Sequence, residues 1–131
     1  MPSRFATINR NIRLDFTHSV YFTRDSFSPT NETLADILQP KRKGQPTKAI
    51  VYLDEGLLDS MPNLPQQIES YFRSREDRLD LVCSPKFSSG GEPAKNNFDY
   101  IEQIWSDLNE HAMCRHSYVI VIGGGAALDM G

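Results

Sequence analysis

The sequence predicts an α/β domain of three layers, with helices on both faces of a mainly parallel sheet. Three observations carry this reading. Ala49-Ile50-Val51-Tyr52-Leu53 is a continuous apolar run, the pattern of a strand covered on both faces. Leu79-Asp80-Leu81-Val82-Cys83 and Tyr118-Val119-Ile120-Val121-Ile122 repeat the strand signal further along. Between these runs lie two segments whose apolar residues recur at helical spacing. Strand, helix, strand, helix and strand in that order imply right-handed crossovers and parallel pairing.

Taken in order, the amino-terminal stretch alternates. Ile8, Ile12, Leu14 and Phe16 are separated by polar residues, as in a half-buried strand. Thr17-His18-Ser19 breaks the pattern, and Val20-Tyr21-Phe22 resumes it as a second strand. Ser28-Pro29-Thr30-Asn31 is a helix start signal, with Leu34, Ile37 and Leu38 on one face. Residues 39–48 are polar and carry two prolines, which predicts a loop; the basic run Lys41-Arg42-Lys43 inside it reads as solvated. Leu64, Ile68, Tyr71 and Phe72 make the apolar stripe of the next helix, with Pro65 tolerated in its first turn. The following helix carries Phe98, Ile101, Ile104, Trp105 and Leu108 on a core stripe, with Asn96 or Asn97 as its N-cap.

A chain of 131 residues fits one domain and can bury a core without disulfide or metal staples. Its 14 basic and 17 acidic residues leave a net charge of −3, which argues against a dedicated nucleic-acid binder. No apolar run approaches the ~18 residues that span a bilayer, and Met1-Pro2-Ser3-Arg4-Phe5-Ala6 has no signal-peptide core. No membrane partner is therefore expected, and a cytoplasmic location is the default. Cys83 and Cys114 form no C-x-x-C pair and read as reduced, largely structural thiols. His111 and His116 miss the i,i+4 spacing of two metal ligands on one helical face, so no metal site is expected in this chain.

The candidate chemistry sits at the strand ends. In an open parallel sheet, ligands bind outside the carboxyl ends of the strands. Asp54-Glu55-Gly56 follows the first apolar run, Ser84 to Lys95 follows the second, and Gly123-Gly124-Gly125 follows the third. A carboxylate placed after a strand can accept from ribose hydroxyls, although Asp54 reads equally as a turn or cap residue. Glycines lack Cβ atoms and let a pyrophosphate approach backbone N–H groups. Glu92 and Lys95 flank a Gly-Gly turn and can hold the other end of the same cofactor, or form a surface pair. The glycine run is not G-x-G-x-x-G, because Leu128 stands at the third glycine position. A helix of only about one turn follows the glycines, too short to be stable alone. The expectation is a Rossmann-like domain truncated at the start of that helix, the amino-terminal piece of a longer protein.

Asp54 after a strand, Gly91-Glu92-Pro93-Ala94-Lys95 before a helix, and Gly123-Gly124-Gly125-Ala126-Ala127-Leu128-Asp129 after the next strand resemble the 3-dehydroquinate synthase family of sugar-phosphate cyclases. The resemblance covers residues 49–131. It implies that residues 1–131 are an N-terminal NAD-binding domain, with NAD contacts at Asp54, Glu92, Lys95, Gly124, Gly125, Ala126 and Asp129. It implies a lyase of the shikimate-pathway type that cyclises a heptulosonate phosphate with phosphate elimination, a homodimer when whole. A divalent metal, zinc or cobalt, belongs in that family to a C-terminal domain, so this chain is expected to hold no catalytic residue and to be inactive alone. Two positions depart from the pattern: Gly56 stands where many members have Asn, and Leu128 where many have Gly. Val20-Tyr21-Phe22-Thr23-Arg24-Asp25-Ser26-Phe27 looks like the start of cyclases outside the core shikimate enzymes, which keeps a valiolone-type enzyme acting on sedoheptulose 7-phosphate as an alternative. An iron-type alcohol or glycerol dehydrogenase has a similar glycine turn but usually lacks Glu-x-x-Lys. A stand-alone nucleotide-binding module is the reading without catalysis.

Overall fold

The computed structural model describes residues 6–88 and 98–124, without the side chain of Asp99. A run such as Ala49–Leu53 has no polar side-chain group but the Tyr52 hydroxyl to offer water, so both of its faces need a cover. The fold supplies one. The elements are α1 (Thr33–Ile37), β1 (Thr47–Asp54), α2 (Leu57–Ser60), α3 (Leu64–Arg73), β2 (Leu79–Leu81), β3 (Lys86–Ser88), α4 (Phe98–Glu110) and β4 (Tyr118–Ile122). Among the described residues every strand pair is parallel and every pair includes β1.

Register fixes the layout. Thr47–Ala49 pairs with Leu79–Leu81, and Tyr52–Asp54 pairs with Lys86–Ser88. Ala49–Leu53 pairs with Tyr118–Ile122. A strand residue has only two sides, and Ala49 is partnered by both Leu81 and Tyr118. Thus β2 and β3 lie end to end along one edge of β1, and β4 lies along the other. The predicted strand over 79–83 stops at Leu81, and a second short strand follows within the stretch read as a loop. Pro85 sits buried in the gap; it has no N–H to give to a ladder.

The helices divide between the two faces. From β1 the chain crosses by α3 to β2, then from β3 it crosses back past β1 by α4 to β4. Connections of one hand that run in opposite directions along a sheet put their helices on opposite faces. Accordingly Ala49, Val51 and Leu53 pack with α1, α3 and Leu79. Ile50 and Tyr52 pack with Ile104, Leu108 and Met113 on and beyond α4. The two-residue period of β1 serves both layers. This is the three-layer, Rossmann-like α/β architecture with a mainly parallel sheet.

α3 buries Leu64, Ile68, Tyr71 and Phe72, the stripe its sequence predicts. Tyr71 also anchors the segment before β1. Its hydroxyl donates to the Asn31 carbonyl at 2.8 Å and accepts from the Ala35 N–H at 3.1 Å. The buried Arg75 guanidinium stacks 3.9 Å from the Tyr71 ring centroid and forms an ion pair with Glu32. In α1 Ala35 is buried, as is Leu38 just after the helix, whereas Ile37, placed on the inner face by its spacing, is exposed. With only five residues, α1 is docked by Leu34 and Ala35 together with these contacts to Tyr71 and Arg75.

Two expectations fail. Residues 6–22 form no strand, and Ile8, Ile12, Leu14, Phe16, Val20 and Phe22 are between 73 and 97 % exposed. Alternation makes a strand only where another strand supplies N–H and C=O partners, and no described strand pairs with this stretch. On α4, Ile104 is buried but Phe98 and Trp105 are 78 % and 68 % exposed. The place nearest the sheet goes to Asp107, a carboxylate only 1 % exposed. The expected caps Asn96 and Asn97 lie outside the described residues. No helix among the described residues is long and apolar enough to cross a membrane.

Candidate functional site

The carboxyl end of β1 is where the chain changes direction across the sheet. The connection leaving β1 goes to one edge, and the connection from β3 goes to the other, which makes the gap between β1 and β4 a topological switch point. Leu53 is paired with Ile122, so Asp54 and Gly123 are the next residues out on adjacent strands. On its other side Asp54 is paired with Ser88. The ladder continues one step further, since the Glu55 N–H donates to the Ser88 carbonyl at 2.9 Å. Of the predicted cofactor contacts, the structure therefore brings Asp54 and Gly124 to one crevice. Glu92, Lys95, Gly125, Ala126 and Asp129 lie outside the described residues.

Asp54 is half-buried, and its Oδ1 accepts from the Gly56 N–H at 2.9 Å. The turn reading of Asp54 is thus part of its role, since this bond fixes the carboxylate at the strand end. Gly56 follows from the same bond. A Cβ there would lie 3.3 Å from Asp54 Oδ1, closer than side chains normally tolerate. Gly124 is different. Its φ is not left-handed, and a Cβ built on it would meet nothing within 4 Å among the described residues. Among the described residues, neither backbone conformation nor internal packing requires glycine at this position.

Directly beneath the strand ends lies a buried polar cluster that the sequence reading missed. Tyr52 on β1 and Lys86 on β3 are register partners and turn to the α4 face. The Tyr52 hydroxyl donates to Asp107 Oδ2 at 2.9 Å, while Lys86 Nζ donates to Asp107 Oδ1 at 2.8 Å and Gln103 Nε2 to the same oxygen at 2.9 Å. Burial pushes the Tyr52 phenol far above its usual range, and its bond to Asp107 adds to the rise. Burial also works against the Asp107 carboxylate, yet the bonds from Lys86, Gln103 and Tyr52 together outweigh it and hold the group below its ordinary range. The bond to Asp107 raises Lys86 in turn. The cluster therefore holds a phenol, a carboxylate and an ammonium in fixed protonation states. Its one legible signal was Asp107 itself, four residues after Gln103 and beside Ile104 and Leu108 on the inner face of α4.

The two thiols differ. Cys83, just after β2, is half-buried, and that burial pushes its thiol up. Cys114, read from the sequence as structural, is exposed in the turn between α4 and β4. In comparisons with family models, with curated proteins and with solved structures, nothing matches the chain.

Proposed function

We propose that this chain binds NAD across the carboxyl ends of β1 and β4, as the nucleotide-binding part of a 3-dehydroquinate synthase-like sugar-phosphate cyclase. One observation carries most of the reading. At the switch point, a carboxylate held by its own turn stands level with Gly123, and the next residue, Gly124, is a glycine that the described fold does not itself need. A glycine without an internal reason is explained by a group that approaches from outside, and a pyrophosphate is such a group. The fit is chemical as well. Asp54 keeps acceptor capacity for ribose hydroxyls, because only Oδ1 is used by Gly56.

In this reading NAD, when bound, takes a hydride from a secondary alcohol of the substrate and later returns it. The chain orients the cofactor: Asp54 fixes the ribose, and the Gly123-Gly124-Gly125 run admits the phosphates. Glu92, Lys95, Ala126 and Asp129 complete the contacts, as the family resemblance implies. The Tyr52–Asp107–Lys86 cluster sets the spacing of β1 and β3 under the crevice without touching the cofactor. The substrate is a heptulosonate phosphate, and the divalent metal is held by a further domain. The whole protein is a cytoplasmic homodimer.

Calorimetric titration with NAD tests the reading. Asp54→Ala is expected to weaken binding by about tenfold, the loss of one charge-assisted hydrogen bond or more. Gly124→Val is expected to abolish binding while leaving the melting temperature unchanged. If NAD gives no heat with this chain or with a form extended by the metal-binding domain, the reading fails.

A further inference from the structure

At the amino ends of β1 and β4, on the far side of the sheet from the NAD crevice, lies a cleft of about 270 Å³. Lys41, Arg42, Lys48, Cys114, His116 and Ser117 are among its lining residues, and no carboxylate is among the described ones. The cations are set by structure. Gly44, at φ 77°, turns the loop back so that the Gln45 N–H donates to the Arg42 carbonyl at 3.3 Å. Lys41 Nζ lies 5.8 Å from the centroid of the Tyr118 ring. Lys48 Nζ donates to the His111 carbonyl at 3.1 Å. Within the turn, the Cys114 N–H donates to Ser117 Oγ at 3.0 Å, and the Ser117 hydroxyl lies 3.7 Å from Cys114 Sγ.

We propose that this cleft docks small anionic disulfides of the glutathione class and that Cys114 is the thiol they modify. Three features support it: an exposed sulfur, the lining cations Lys41, Arg42 and Lys48 with no carboxylate among the described lining residues, and a volume just below the usual range for ligand clefts, which suits a small ligand. The sulfur is also prepared as a nucleophile. The His116 N–H and the Ser117 hydroxyl bond to it, and Arg42 adds positive charge, which together hold the thiol below its usual range. Charge in the same cleft is dense enough that burial, then Arg42, Arg115 and Lys41, keep His116 below the ordinary imidazole range.

The step is thiol–disulfide exchange. The Cys114 thiolate attacks one sulfur of the disulfide, a new S–S bond forms, and the old one breaks. The departing half leaves as a thiolate and takes up the proton that Cys114 released to solvent. Cys114 is oxidised to a mixed disulfide as the departing thiol is reduced. Cys83 is the internal contrast. It borders a separate cleft with Glu69, Glu76 and Asp80 among its lining residues, where Arg73 is the only basic side chain among the described ones. An anionic disulfide is attracted to one thiol and repelled from the other.

The experiment uses the intact chain with each cysteine isolated by Cys83→Ser or Cys114→Ser. Rates are measured with dithiobis(nitrobenzoate), a dianion, and with dithiodipyridine, which is neutral. The anionic-to-neutral rate ratio is expected to be about tenfold larger for Cys114 than for Cys83 at low ionic strength, and to fall as salt is added. Arg42→Glu should remove most of that excess. Glutathione disulfide should label the peptide containing Cys114 in the wild-type chain. Equal ratios for the two thiols, a ratio unmoved by Arg42→Glu, or glutathione on Cys83 alone would each overturn the proposal.

Discussion

On one face of β1, Ala49, Val51 and Leu53 meet Ile68, Tyr71, Phe72 and Leu79 in an apolar layer no more than 2 % exposed. On the other face, Ile50 and Tyr52 meet a helix whose most buried group is the carboxylate of Asp107. The first layer is stabilised through area and close packing, with the buried Arg75–Glu32 pair stacked on Tyr71 at its margin. The second spends part of its interior on charge. A buried ion pair contributes little net stability but holds its partners to one geometry. Since Lys86 and Tyr52 stand two residues from the ends of β3 and β1, that geometry is the geometry of the crevice floor. One face stabilises the domain, and the other aligns its strand ends.

The largest effect that separates the faces is expected from truncation in the first layer. Ile68→Ala should cost about 3–4 kcal/mol, read from denaturant midpoints, because the cavity is enclosed on all sides. Ile104→Ala, nearer to solvent, should cost about 2 kcal/mol. Equal losses would remove the distinction. Asp107→Ala should come next, at about 2 kcal/mol, since it leaves the Tyr52 hydroxyl without its acceptor while Lys86 can still reach water.

A pH series sharpens the same contrast. The folded carboxyl of Asp107 lies below its unfolded value, so its stabilising contribution is present above about pH 4 and is lost as pH falls through the folded value. The acid limb of the stability profile should be shallower in Asp107→Asn than in the wild type, whereas Ile68→Val should shift the whole profile without changing that limb. The smallest effect belongs to the outer side of α4. Trp105→Ala should change stability by less than about 0.5 kcal/mol in thermal melts, because Trp105 is 68 % exposed.

The sequence revealed what is decided by one segment at a time. β1 was legible because burial on both faces leaves an uninterrupted apolar run, and α3 because its four buried residues keep helical spacing. The placement of Asp54, Gly123 and Gly124 at one end of the sheet was legible because strand ends in a parallel sheet point to a common side. The misses depend on partners. Alternation at Ile8 to Phe22 has the form of a strand, but no described strand pairs with it. The stripe on α4 was judged by apolarity, which does not say how far the sheet extends beneath it, so Phe98 and Trp105 were placed inside. β3 is three residues long and hidden behind Pro85, and its Lys86 acquires a role only when Asp107 arrives from another element.

Because every described ladder uses β1, none of the outer strands can pair until β1 is in place, and none is paired with another. The contacts that complete it are remote in sequence, with Ala49 waiting for Leu81 on one side and for Tyr118 on the other. High contact order of this kind slows folding, since loop closure must precede the reward. During synthesis the bare Ala49–Leu53 run emerges long before its last partner, an extended apolar segment with both edges open to other chains. Assembly of this domain is therefore a race between β4 docking and intermolecular β pairing, decided by how quickly α4 delivers the final strand.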